Sequence, residues 1–155
     1  SPDRTIDEQM FEWESIKEKE RSIEADSGAL AGIALALPAL TRSFKIQQRA
    51  SRVGFDWKSI SPVYDKILEE IEEIKKATVS ETEVEVREEL GDLLFSVVNL
   101  ARHLSIEPED ALRRANLKFI KRFDYIEKAA AEKLQALGSM SEIQWEGHWE
   151  EAKKK

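Results

Sequence analysis

Apolar residues recur at steps of three and four through Val86, Leu90, Leu93, Leu94, Val97, Leu100, Ala101 and Leu104, and Phe95 and Val98 widen the stripe. This pattern predicts one helix over residues 80–104 that must be covered on most of its circumference. What is left is a narrow polar line at the same spacing, formed by Glu85, Glu88, Glu89, Asp92, Ser96, Asn99 and His103. Carboxylates therefore run beside a core, and Asp92 is hemmed in by Leu90, Leu93 and Leu94. Ser80 and Glu83 stand where a capping box would start the helix.

The same periodicity places the other elements. Ile6, Met10, Trp13 and Ile16 predict a first helix over residues 7–25, apolar along one stripe only. Residues 28–40 are apolar without helical polarity, and Pro38 makes them a loop that packs against the domain or covers a partner subunit. A second helix over residues 39–53 carries Leu40, Phe44, Gln47, Ala50 and Val53 on one face and stops at Gly54. Ser61 followed by Pro62 opens a third, whose stripe of Val63, Ile67, Ile71 and Ile74 reaches residue 77. After a turn at residues 106–108, Leu112, Ala115, Phe119, Phe123 and Ile126 predict a long helix to about residue 137, stopped by Gly138. Ser139 and Glu142 read as a capping box for a last short helix bearing Trp145, Trp149 and Lys153 at steps of four.

With 155 residues, 41% of them apolar, the chain has the size of one domain, and six glycines and four prolines are few enough for an all-α fold. The sequence contains no cysteine, so disulfides and thiolate zinc sites are excluded, and the cytoplasm is the default compartment. No apolar run is long enough to span a bilayer. A net charge of −7 argues against binding to nucleic acid or an anionic membrane.

That acidity is concentrated. Glu85 with Glu89, and Glu88 with Asp92, are like-charge pairs four apart, each destabilising a helix by roughly 0.2–0.5 kcal/mol. The third helix holds Glu69, Glu70, Glu72 and Glu73, of which only Glu72 has a lysine four residues on, Lys76. Such carboxylates are either a solvated acidic face favoured by the helix dipole or a site whose repulsion a cation relieves. Two pairs, Glu70 with Glu73 and Glu89 with Asp92, can converge between neighbouring helices, as bundle metal sites do. Only oxygen ligands are on offer, which selects Mg²⁺, Mn²⁺ or Ca²⁺, and no Glu-x-x-His pair is present for a di-iron centre. Mg²⁺ recruits phosphate oxygens, and Lys118 and Arg122 share a helix side, so a phosphate ester is the ligand these residues suit.

The acidic pattern, Glu69-Glu70-x-x-Glu73 followed by Glu89-x-x-Asp92, resembles the EExxE and ExxD motifs of the MazG family of nucleoside triphosphate pyrophosphohydrolases. Residues 38–57, 88–104 and 111–123 are similar to the family as well, and the likeness runs from Trp13 to the last helix. The chain is most similar to the C-terminal of the two catalytic-type domains of longer MazG proteins, so it is expected to be one MazG-like helical domain over residues 1–155, with residues 1–8 a disordered leader. The resemblance implies a helical bundle of the MazG and dimeric dUTP pyrophosphatase type, a homodimer, and Mg²⁺ (or Mn²⁺) held by Glu70, Glu73, Glu89 and Asp92. Glu69 completes the catalytic carboxylates, and Lys66, Lys118, Arg122, Trp149 and Lys153 fall at nucleotide contacts.

In such enzymes water attacks the α-phosphorus of a nucleoside triphosphate, giving a monophosphate and pyrophosphate. The spacing does not choose which carboxylate takes the proton. Glu85 stands where family members can carry a lysine, the gap after Glu73 is short, and Gly147 interrupts the last helix. Trp149 is the one motif-matched aromatic, and stacking on it discriminates little between bases, so broad base specificity is expected. The alternative is a non-catalytic dimerisation or regulatory domain that binds nucleotide, or a structural cation.

Overall fold

The computed structural model describes residues 6–24, 28–80 and 82–155. Among them every regular element is helical: α1 (Ile6–Glu24), α2 (Ala39–Arg52), α3 (Ser61–Ser80), α4 (Glu83–His103), α5 (Pro108–Glu132) and α6 (Glu142–Lys153), with a 3-10 turn at Leu137–Ser139. The all-α expectation holds. Of the leader expected over residues 1–8, the first five lie outside the described residues, and α1 begins at Ile6. The chain forms two compact units, one ending at Pro108 and the other running from Glu109 to Lys155.

In the first unit α4 is the central element, packed against α3 and α2. Val63 and Ala77 of α3 and Val98 of α4 are buried between them. The apolar loop before α2 contributes Ile33 to this core and is tied down where Arg49 Nη1 donates to the Ala31 carbonyl at 2.9 Å. The rest of the loop is less covered than its composition suggests, with Leu35 81% exposed. Leu90, Leu94, Phe95 and Val97 of α4, expected to be covered, are 43–51% exposed in the single chain.

Both expected capping boxes are displaced by two residues. Helix α4 is capped by Thr82, whose backbone N–H donates to Glu85 Oε2 at 2.7 Å while its hydroxyl accepts from the Glu85 N–H. Ser80 instead ends α3, its hydroxyl donating to the Lys76 carbonyl at 3.0 Å. Likewise α6 is capped by Ser141 with Gln144, and Ser139 bonds back to the Ala136 carbonyl at 2.7 Å. In each case the hydroxyl-x-x-acid or amide pattern occurs twice, and the earlier serine is consumed in closing the preceding turn.

Three helix ends share one device. Gly54 at φ 95° terminates α2, with Phe55 N–H donating to the Ala50 carbonyl at 3.1 Å and Gly54 N–H to that of Ser51 at 3.1 Å. Ser105 at φ 57° and Leu134 at φ 53° do the same after α4 and α5. The long helix thus stops at Glu132, short of Gly138, because a leucine occupies the left-handed position that sequence reading reserves for glycine. Leu134 is 95% exposed and packs against little. Leu134→Gly should raise stability by about 0.5–1 kcal/mol, the relief of left-handed strain less the entropy of a freer unfolded chain. A thermal midpoint that falls would refute this account of the turn.

In the second unit α6 lies along α5 through an aromatic ladder. Phe119 stacks on Phe123 with centroids 5.9 Å apart, Trp149 tilts against Phe119 at 5.6 Å, and Trp145 stacks on Phe123 at 6.1 Å. Ile126, Ala130 and Ala152 are buried beside it, as is His148.

Candidate functional site

Helices α3 and α4 bring three carboxylates together. One oxygen each from Glu70, Glu89 and Asp92 lie within 4.8 Å of one another. Glu89 and Asp92 are three apart and so project from one side of α4, while Glu70 reaches them from the middle of α3. Expected to be buried, Asp92 is exposed, because Leu90 and Leu94 beside it are themselves half-exposed in the single chain. The buried carboxylate is Glu70, 6% exposed.

Glu70 is paired with Lys66 one turn earlier, whose Nζ lies 3.0 Å from Glu70 and 3.2 Å from Glu69. The hydrogen bond to Glu70, and after it the one to Glu69, holds the Lys66 ammonium above its ordinary pKa. Glu73 does not join the three-carboxylate group; it is half-exposed and 3.7 Å from Lys76 Nζ. The Glu72–Lys76 pair expected from sequence is replaced by Lys75 with Glu72 at 2.9 Å. A three-residue step serves both lysines. Glu85, expected to repel Glu89, is drawn back into the α4 cap, and the Thr82 N–H lowers its pKa.

The donor set fits a hard divalent cation: oxygens only, close enough to share one ion, with no imidazole or thiolate among them. Without an ion, three carboxylates this close repel one another, and Lys66 at Glu70 offsets part of that.

Sequence reading missed what adjoins this cluster. A cavity of about 710 Å³ opens in the first unit, walled by Ile46, Phe55, Trp57 and Phe95, with Lys66 and Gln47 among its polar lining. Its rim is clamped by Asp56. Arg102 Nη1 donates to Asp56 Oδ2 at 3.0 Å, Arg102 Nη2 donates to Oδ1, and His103 Nε2 lies 3.0 Å from Oδ1. The Arg102 hydrogen bonds pull the Asp56 carboxyl below its usual range, against the opposing effect of burial. A group depressed on folding stabilises fully above its unfolded pKa, about 3.9 for Asp, and loses that contribution as pH falls through the folded value. Asp56→Asn should therefore lower the urea midpoint at pH 7 and flatten the loss of stability below about pH 4; a variant with the wild-type acid profile would contradict the clamp.

In the second unit Lys118, Arg122 and Lys153, singled out by sequence, line a cavity of about 330 Å³. Lys121, Lys128 and Lys155, which the sequence did not single out, join them. Lys128 is held by Asp124 at 2.8 Å and Lys153 by Glu150 at 2.9 Å. Trp149 stands under Arg122, the guanidinium carbon 5.3 Å from the ring centre. Its ring thus meets Arg122 and Phe119 within the fold.

Residues 59–126, which hold α3, α4, the three clustered carboxylates, Lys118 and Arg122, match the MazG nucleotide pyrophosphohydrolase domain. Over those residues the chain is similar to the MazG family. It is 42% identical over 151 residues to the nucleoside triphosphate pyrophosphohydrolase of Escherichia coli K12, covering 95% of this chain and 57% of that protein. It is also 42% identical over 142 residues to the nucleoside triphosphate pyrophosphohydrolase/pyrophosphatase MazG of Thermotoga maritima, covering 92% of this chain and 54% of that one. An uncharacterised Bacillus subtilis protein, YabN, is 40% identical over 145 residues, 93% of this chain and 29% of its own length. The chain spans a little over half the length of these first two relatives. Among its described residues no helix is long and apolar enough to cross a membrane.

Proposed function

We propose that this chain hydrolyses nucleoside triphosphates to the monophosphate and pyrophosphate in a Mg²⁺-dependent reaction, with Mn²⁺ as a substitute. The convergence of Glu70, Glu89 and Asp92 inside the MazG match is the observation that carries the reading. The names of the Escherichia coli and Thermotoga relatives support the reaction class. A cysteine-free chain suits the cytoplasm, where such substrates are found.

In this reading Glu70, Glu89 and Asp92 hold the ion, and Glu73 joins them by leaving its loose contact with Lys76. When bound, the ion neutralises charge on the phosphates and acidifies the attacking water. Water oxygen bonds to the α-phosphorus, the bridge to the β-phosphate breaks, and pyrophosphate leaves with that electron pair. One of the carboxylates, Glu69 included, takes the water's proton. Lys66 bridges Glu70 and Glu69 and lies beside the incoming nucleotide. By their motif positions Lys118, Arg122, Trp149 and Lys153 contact the nucleotide, and within their own unit they gather into a basic patch that suits an anion. Turnover of purified protein with Mg²⁺ and each of the common triphosphates tests the reading. Pyrophosphate and monophosphate are expected, with preferences among bases below about a thousandfold. Inorganic phosphate and a diphosphate would move the cleavage position, and tight binding without hydrolysis would favour the regulatory alternative.

A homodimer belongs to the same reading. Leu90, Leu94 and Val97 leave a half-exposed apolar line on α4 that a second copy would cover. Sedimentation at micromolar concentration should give twice the chain mass; a monomer would count against it.

A further inference from the structure

The cavity that α5 and the end of α6 line in the second unit carries more positive charge than its motif-matched residues account for. Six of its nine lining residues are cationic, and Asp124 is the one acid among them. Asp124 is already committed to Lys128 at 2.8 Å, as Glu150 is to Lys153 at 2.9 Å. Lys118, Lys121 and Arg122 have no carboxylate partner among the described residues. They fall three and four apart on one side of α5, where like charges destabilise the helix. A concave surface of one sign focuses its field, and a bound anion relieves the repulsion.

The dimensions say which anion. Along α5 the lining runs from Lys118 to Lys128, about 15 Å of helix and more than a pyrophosphate can span. Tyr125 lies between them on the helix and adds a hydroxyl donor, with Lys155 Nζ 5.8 Å from its ring centre. A volume of about 330 Å³ is at the small end for ligand sites and suits a slender chain. Three cations within about one helical turn match charges that are themselves crowded, as on phosphates that share bridging oxygens. In a nucleic acid a sugar separates each phosphate from the next, and in an acidic peptide each carboxylate has its own side chain. Lysine meets phosphate as a point charge and arginine as a planar fork. We propose that this groove binds a short linear condensed phosphate longer than pyrophosphate, with Lys121, Tyr125 and Lys128 extending a site that begins at Lys118, Arg122 and Lys153. Binding of this kind needs neither the acidic cluster nor turnover.

The test is calorimetric titration of the full chain with pyrophosphate, tripolyphosphate and tetrapolyphosphate, in chelator so that no divalent cation contributes. Hydrolysis of the natural triphosphates is measured separately. Wild-type protein should bind tetrapolyphosphate about tenfold or more tightly than pyrophosphate, and both more weakly as salt is raised. Combining Lys121→Gln with Lys128→Gln should remove that gain while changing pyrophosphate affinity less than about threefold. Lys133, exposed just past α5 and outside the lining, is the control, and Lys133→Gln should change neither affinity. Adenosine tetraphosphate separates the two sources of such a chain: tighter binding than the inorganic chain assigns the tail of a nucleotide, any other result a free condensed phosphate, and either sustains the proposal. Equal affinity for all chain lengths in the wild type, or a gain that the double variant keeps or that Lys133→Gln also loses, would overturn it. Length-dependent binding without turnover sustains it and overturns the enzyme reading; turnover without length dependence does the reverse.

Discussion

Asp92→Asn is expected to lower kcat/KM for nucleoside triphosphates by about a thousandfold or more, with the helices intact. The amide keeps the shape of the side chain and removes the charge that a hard cation requires. Because Asp92 is exposed and lies within 4.8 Å of two other carboxylates, its neutralisation relieves repulsion, so the urea midpoint without metal should be unchanged or higher. Glu70→Gln should be as inactive but less stable, since it takes from Lys66 the buried acceptor at 3.0 Å and leaves only Glu69. This opposite sign of stability at equal loss of activity separates a metal site from a structural acid cluster. Should both variants retain more than a tenth of wild-type turnover at saturating Mg²⁺, the three carboxylates are not the catalytic centre.

Arg122→Ala is expected to cost about a hundredfold to a thousandfold in kcat, the range found when one preorganised donor to a developing negative charge is removed. Arg122 is well placed to be rigid. Its guanidinium rests over Trp149, and the indole is fixed in turn by Phe119. Arg122→Lys retains the charge without the planar fork and should fall between wild type and alanine. Inhibition by added pyrophosphate gives a readout that a purely structural role would not move: it should weaken in Arg122→Ala more than affinity for the monophosphate does. Equal weakening of both products would place Arg122 at the nucleoside end.

Helix number and type were legible from periodicity, since every apolar stripe of three or more turns became a helix. Boundaries were less so, for local reasons. Ser80 and Ser139 look as good as caps as Thr82 and Ser141 do, and only competition with the preceding turn separates them. Leu134 carries no turn signal at all. The pairing of Glu70, Glu89 and Asp92 was readable because their spacing puts them on facing helix sides; which of them is buried was not. Burial depends on the neighbour across the interface, and Asp92 faces outward where Glu70 is covered. Gln47 was read as part of the apolar face of α2, correctly as to direction. Its bond to the carbonyl of Phe95, 48 residues away in sequence, became visible only in the fold.

The tryptophans divide so that each half of the protein reports on itself by fluorescence. Trp57 lines the large cavity of the first unit, whereas Trp145 and Trp149 belong to the aromatic ladder of the second. Trp13 on α1 is 58% exposed and should emit as in water whatever is bound. A ligand entering the cavity would quench Trp57, and an anion drawn to Arg122 would perturb Trp149. With Trp145 and Trp149 changed to phenylalanine, the remaining change in signal follows the cavity of the first unit alone, and entry of a ligand there becomes measurable by stopped flow.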